Sequence, residues 1–246
     1  MLKEAWQFLK KRKKQITITT TVALMVLSIV FLIWKLTPET YQDRTECFQQ
    51  YESFQQFNIN GQDYKVHEDL ENPQLAAETM DQLNKTAITL INYLQLEYID
   101  KDRINMISKD KQKTVLYGIK SLKKNYKTAN LEENIPERSG GDTSYVIDKG
   151  EIFAMCIRDP KNENKIDPKI NDLTFVLIHE MAHLFTKTFG HDKLFWENFR
   201  FLLKEAAAIG IYESKDYKKN KSPYCGILIS YSPLYDNALT DYFTSA

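Results

Sequence analysis

Two histidines four residues apart, His179 and His183, stand in the stretch "LIHEMAHLF" with Glu180 beside the first. On a helix, positions four apart lie one turn above each other on one face. Both imidazoles can therefore reach a single metal ion. Glu180 is rotated about 100° from His179 and would sit beside that ion, where a carboxylate can take a proton from water. The order H-E-x-x-H thus supplies two nitrogen ligands and a general base. A catalytic zinc needs a third protein ligand and an open position. Gly190 can adopt the left-handed backbone that ends a helix, after which His191 can turn back toward the metal. Asp192 follows, as the cap of the next helix or as a hydrogen-bond partner of a ligating histidine. Three of the four histidines fall between positions 179 and 191; the fourth, His67, is isolated in a polar stretch.

The competing view is a core helix that carries histidines by chance. A chain of 246 residues with four histidines meets H-E-x-x-H at random with a probability of about 0.004. Without a metal, three polar groups on a buried helix would each need another partner. Both points favour a metal site.

The elements around these residues must hold them still. The spacing predicts a helix over 173–189, on which Leu173, Phe175, Val176, Leu177, Ile178, Met181, Ala182, Leu184 and Phe185 cover most of the circumference. A helix apolar nearly all round is central in its domain. A supporting helix is expected over 193–209, stopped by Gly210. Upstream, 143–147 and 151–158 are β-prone runs joined by "DKG", which reads as a tight hairpin. The second run is apolar on both faces. It is expected to lie buried beside the histidine helix, its edge offering backbone pairing to an extended peptide. Asn72 and Pro73 mark a helix start, followed by a core stripe from Met80 to Leu94. A further amphipathic helix over 111–127 buries Val115, Ile119, Leu122 and Tyr126 and turns lysines outward. With few aromatics beside those lysines, base stacking is poorly supplied.

Charge is balanced overall but unevenly placed. Residues 1–14 hold six Lys/Arg and one acid, which leaves the rest net negative. That balance excludes the global basic footprint of a dedicated nucleic-acid binder, so nucleic acid is not an expected partner. Residues 15–34 carry no charge, and about 20 helical residues match a bilayer's hydrocarbon core. No small-x-small cleavage site follows, so an uncut anchor is expected. The basic block before it keeps the N-terminus cytosolic by the positive-inside rule. The expected organisation is a basic cytosolic tail at 1–14, a transmembrane signal-anchor at 15–36 that contacts the lipid bilayer, a stalk at 37–72 and a metal-binding domain at 73–246. Three cysteines, Cys47, Cys156 and Cys225, exclude a full disulfide framework but leave one bridge open. Idle or buried thiols are the simpler expectation.

"HEMAHLFTKTFGHDKLFWENF" resembles the zincin metalloproteases, and within them the WLM and SprT-like group, where a third histidine follows in a context like "GHDKLFW". "YVIDKGEIFAMCIRD" is similar to the WLM hairpin, and "YCGILISYSPLYD" to membrane-anchored proteins of large DNA viruses. The resemblance spans 140–236. A metzincin pattern would place glycine and histidine where Thr186 and Phe189 stand, which excludes that class, whereas a gluzincin-like pattern would take its third ligand from the next helix, where Glu205 in "LLKEAAA" is the alternative to His191. The resemblance implies an α+β, zincin-like domain: a small antiparallel or mixed sheet packed on a central H-E-x-x-H helix, after an N-terminal transmembrane helix. It implies a membrane-anchored, zinc-dependent endopeptidase acting on protein or peptide. His179, His183 and His191 would hold Zn²⁺, and Glu180 would activate its water. Tyr224 or Tyr231 would be a second oxyanion donor, and the domain would lie across a host or virion membrane. The group's action on DNA-crosslinked proteins does not carry over, given the negative domain. The alternative is a catalytically silent zinc-fold protein of a membrane or envelope, against which Glu180 argues.

Overall fold

A computed structural model of the chain describes Ser28 and residues 54–243. Its first element is a hairpin of β1 (Phe54–Ile59) and β2 (Gln62–His67). The turn is Asn60-Gly61, both with positive φ. That dipeptide suits the two-residue turn whose twist matches the strands it joins. Tyr64 and Val66 are buried in the core and Asp63 and Lys65 beside them face outward, while His67 at the strand's end is buried again. These strands lie in the stretch expected to be a stalk, so the sheet begins before Pro73. The short alternation of β2 is its only trace in sequence.

Helix α1 (Pro73–Gln95) follows, with proline at its start and a buried stripe from Ala76 to Leu94. Asn72 does not cap it through its side chain; its left-handed backbone delivers the carbonyl that Ala76 bonds. Helix α2 (Lys109–Asn125) buries Val115, Gly118, Ile119 and Leu122. Strands β3 (Leu131–Glu133), β4 (Tyr145–Ile147) and β5 (Ile152–Met155) complete a mixed sheet of order β1-β2-β3-β5-β4. β3 runs parallel to β2 and β5, whereas β4 and β5 form the expected antiparallel hairpin. The edge strand on that side is therefore β4. Strand β5, expected to offer an edge to substrate, is paired on both sides.

A two-stranded ribbon, β6 (Arg158–Asp159) with β7 (Lys165–Ile166), leads into helix α3 (Ile170–Phe185). Arg158 is fully buried: its Nε donates to Glu133 at 2.6 Å and one terminal nitrogen donates to the carbonyls of Glu71 and Asn164. Glu133 also accepts from the His67 backbone N–H. This pair joins β2, β3 and the ribbon through groups with no water to turn to. Helix α4 (Lys193–Ala208) packs on α3, and the hairpin β8 (Ser222–Tyr224) and β9 (Ile227–Ile229) closes the C-terminal side.

Helix α3 starts three residues before expectation and ends at Phe185 rather than 189. Asn171 does not cap it; its side chain bonds the backbone of Glu213 in both directions. Asp172, buried in the first turn, accepts from Lys215, Tyr217 and Ser222, which moors the helix to the C-terminal segment. Burial works against its ionisation, but those hydrogen bonds and the Lys215 charge win and hold its carboxyl below the usual range.

The expectation of a membrane-spanning architecture, and with it a single-pass membrane location, is corrected. Among the described residues no helix is long and apolar enough to cross a membrane. α1 has the length, at 23 residues, but it is amphipathic, burying one face and exposing a polar one. The anchor expected at 15–36 lies outside the described residues apart from Ser28.

Gly118 lies where α2 meets α3, and a Cβ there would fall inside the Phe185 ring. Gly118→Ala is expected to destabilise the fold by about 1–2 kcal/mol, since overpacking outweighs a helix-propensity gain of about 1 kcal/mol. Urea denaturation measures this. Asp172→Ala is expected to cost about 3 kcal/mol at neutral pH, by orphaning buried donors. That contribution is whole above the carboxyl's unfolded pKa and lost as pH falls through its lower folded value. The gap between variant and wild type should therefore close in acid.

Candidate metal centre

Beyond its first two residues, α3 opens to solvent at only two positions, His179 and His183; Glu180 and the rest of the helix are buried. The apolar residues predicted to bury the helix thus leave the two imidazoles as its one polar window. Thr186 ends the helix, and the segment 187–192 is exposed and turns at Gly190, with φ of 77°. His191 comes back over the window, its Nε2 at 2.9 Å from that of His179. One nitrogen from each of His179, His183 and His191 lies within 4.8 Å of the others.

Aromatic rings from α4 fix the imidazoles. Phe195 lies 4.9 Å from the His179 ring and 4.4 Å from His183. Phe199 meets His179 edge-on, and Trp196 stacks on His191 at 5.5 Å. The register of α4 is set by Asp192, whose carboxylate caps the helix by accepting from Phe195 N–H. Of the two roles open to Asp192, the structure shows the cap.

Burial pulls the His179 pKa down to about 3, with His183 and His191 adding repulsion, and His183 down to about 4. His191 is lowered too, again by burial. All three rings are thus neutral near pH 7, the state that offers lone pairs to a metal. Glu180 is the reverse case: burial raises its pKa to about 8, and its Oε1 is 4.0 Å from His179 Nε2. A carboxyl poised there holds and releases a proton near neutrality.

The donor set fits a zinc ion. Nitrogens bound tetrahedrally at about 2.1 Å lie roughly 3.4 Å apart, inside the range spanned by 2.9 Å and 4.8 Å here. Glu205 lies outside this cluster, buried on α4 and paired with Arg103. Tyr224 is buried, its hydroxyl donating to the Cys156 carbonyl and bonded to Ser144 Oγ. Burial raises its pKa, and the Glu180 charge contributes. Tyr231 stands at the rim, its ring 5.1 Å from Trp196 and its hydroxyl donating to Asp236.

Two features were not anticipated. Cys156 and Cys225 form a disulfide that ties the exit of β5 to the turn of the β8–β9 hairpin. Their separation of 69 residues and an odd cysteine count gave no pairing signal. Lys149, in the "DKG" turn, reaches the end of α3 and donates to the carbonyls of His183, Thr186 and Thr188. Burial lowers its pKa. Nothing in the hairpin pattern marked that side chain.

These features define a cluster of three histidines, two on a buried helix and one on the segment that follows it. The chain belongs to a family that includes an uncharacterized protein of Acanthamoeba polyphaga mimivirus, 30% identical over 212 residues, or 86% of this chain and 95% of that protein. Uncharacterized proteins of invertebrate iridescent viruses 6 and 3 match more locally, at 38% over 84 residues and 35% over 85. Each match covers 34% of this chain, and 47% and 50% of those proteins respectively. No protein-family profile matches the chain, and no solved structure does.

Closing a loop of this length by a disulfide contributes about 4 kcal/mol in the chain-entropy picture. Paired Cys156→Ser and Cys225→Ser substitutions, or thiol reduction, should lower the melting temperature accordingly. An unchanged transition on calorimetry would show that the bridge carries no weight in stability.

Proposed function

We propose that this protein is a zinc-dependent endopeptidase whose centre is His179, His183 and His191, with Glu180 as general base. The observation that carries this reading is the convergence of His179, His183 and His191 with the buried Glu180 carboxyl beside them, 4.0 Å from the His179 Nε2. A purely structural zinc site has no use for such a carboxylate.

A zinc ion, when bound, supplies Lewis acidity toward a carbonyl and makes water acidic near neutral pH. The protein supplies the rest. His179 and His183 are held rigid by α3, and His191 completes the set from outside the helix. Glu180 accepts the proton of the attacking water on its carboxylate and passes it to the departing amine nitrogen. Its burial keeps bulk water from competing for that proton. Strand β4, the sheet edge on the α3 side, offers the backbone against which an extended peptide can lie. Of the two tyrosines, Tyr231 is the one open to a bound substrate: it is exposed beside Trp196 with its hydroxyl on Asp236, whereas the Tyr224 hydroxyl is buried between Cys156 and Ser144.

The test uses the full chain. Purified protein is expected to carry one equivalent of zinc and to cleave members of a broad peptide library, with activity lost to a chelator and restored by zinc. Glu180→Gln should keep the metal and lose at least about 100-fold in kcat/KM. A zinc-loaded wild type that cleaves no peptide would remove the peptidase reading and leave a silent zinc fold. Undiminished turnover in Glu180→Gln would remove Glu180 from its role.

A further inference from the structure

We propose that Lys149 is a positioning residue for the metal centre: its ammonium locks the segment 186–190 and so aims His191. The inference rests on the metal reading above.

An ammonium has three donors and no acceptor. All three are used: Lys149 Nζ lies 2.8 Å from the His183 carbonyl, 2.7 Å from Thr186 and 3.0 Å from Thr188. The final carbonyls of a helix lack intrahelical partners and carry the negative end of its dipole. Here one cation satisfies a carbonyl of the last turn and two of the loop that follows. The same Nζ lies 4.6 Å from the centre of the exposed Phe189 ring. One side chain therefore touches His183 and three of the seven residues between it and His191.

The turn that presents Lys149 is built at a cost. Asp148, Lys149 and Gly150 all have positive φ, at 44°, 56° and 113°. A non-glycine residue held there costs about 1 kcal/mol or more. The turn cannot relax away from α3. A Cβ on Gly150 would lie 2.6 Å from the Asn125 carbonyl oxygen, and Asn130 Nδ2 donates to the Gly150 carbonyl at 2.6 Å. The turn is thus wedged against the end of α2, and Lys149 is held over the end of α3.

On the far side, Thr186 Oγ1 accepts from Asn198 on α4. Beyond Thr186 the segment 187–190 is exposed. Without the ammonium, the carbonyls of His183, Thr186 and Thr188 would converge on one another with nothing between them. The segment would splay, and His191, the ligand outside the rigid helix, would lose its direction. Lys149 also sits between β4 and β5, so the edge strand and the metal ligands share one anchor.

The test compares full-length wild type with Lys149→Met, which keeps the aliphatic stem and removes the donors. Lys149→Arg keeps the charge but cannot aim three donors at one point. Zinc affinity is read by competition with a chromogenic chelator, and ligand number by the visible absorption of the cobalt(II)-substituted protein. Lys149→Met is expected to bind zinc about 10- to 100-fold more weakly, the usual effect of losing a group that orients a ligand. Its cobalt bands should change to match His191→Ala, with Lys149→Arg intermediate. Arg103→Met, which breaks the Glu205 pair outside the histidine cluster, controls for stability and should lower melting temperature without changing the cobalt spectrum. Zinc affinity and cobalt bands in Lys149→Met equal to wild type would overturn the inference alone. If Lys149→Met does not fold, unaltered affinity and spectrum in Lys149→Arg would overturn it equally. Failure of wild type to bind zinc would overturn the metal reading and the inference with it.

Discussion

A helix buried on nearly every side, carrying two histidines and a glutamate, is the constraint the rest of the structure answers to. Polar groups on such a helix are costly unless something meets them. The fold meets them asymmetrically. Both histidines are left at the one opening, and Glu180 is enclosed beside it. α1, α2, α4 and the sheet wrap the remaining faces, with Gly118 giving Phe185 room against α2. The rigidity of the histidine pair and the raised pKa of Glu180 have the same origin, the exclusion of water from around α3.

The ends of that helix are moored in different ways. Its first turn is tied by Asp172 to Lys215, Tyr217 and Ser222. Its last turn is tied by Lys149 to a hairpin that precedes it in the chain. The disulfide from Cys156 to Cys225 holds the C-terminal hairpin against the exit of β5. Of the three clustered histidines, His191 is the one carried by a loop, and the contacts converge there: Trp196 stacks on its ring and Asp192 fixes the start of α4 next to it.

Much of the site could be read from short spacings. The four-residue interval from His179 to His183 and the glycine before His191 describe local geometry, which a helix and a turn reproduce in any fold. The "DKG" hairpin and the helix around Phe195 and Phe199 were legible for the same reason. Other features were not. β1 and β2 were read as stalk because two short strands with scattered aromatics have little signal until α1 covers one face. β5 was expected to be an edge because its apolar run reports burial and not which neighbours provide it. Asn171 is of a residue type that caps helices and stands at the start of α3, but its side chain bonds Glu213, 42 residues away. Glu205 had the right distance in sequence for a ligand, and Arg103 claims it.

The sequence by itself determined the chemistry available: which nitrogen donors share a helical face, where a carboxylate sits beside them, and where the chain can turn to bring a third. Those follow from periodicity and backbone freedom, which act over a few residues. Only the tertiary structure decided which face of α3 stays open, which strand forms the sheet edge, that Cys156 meets Cys225, and that Lys149 donates to the carbonyls at the end of α3. Each depends on residues tens of positions apart, brought together by burial of apolar surface, a force that has no direction of its own and leaves no local mark.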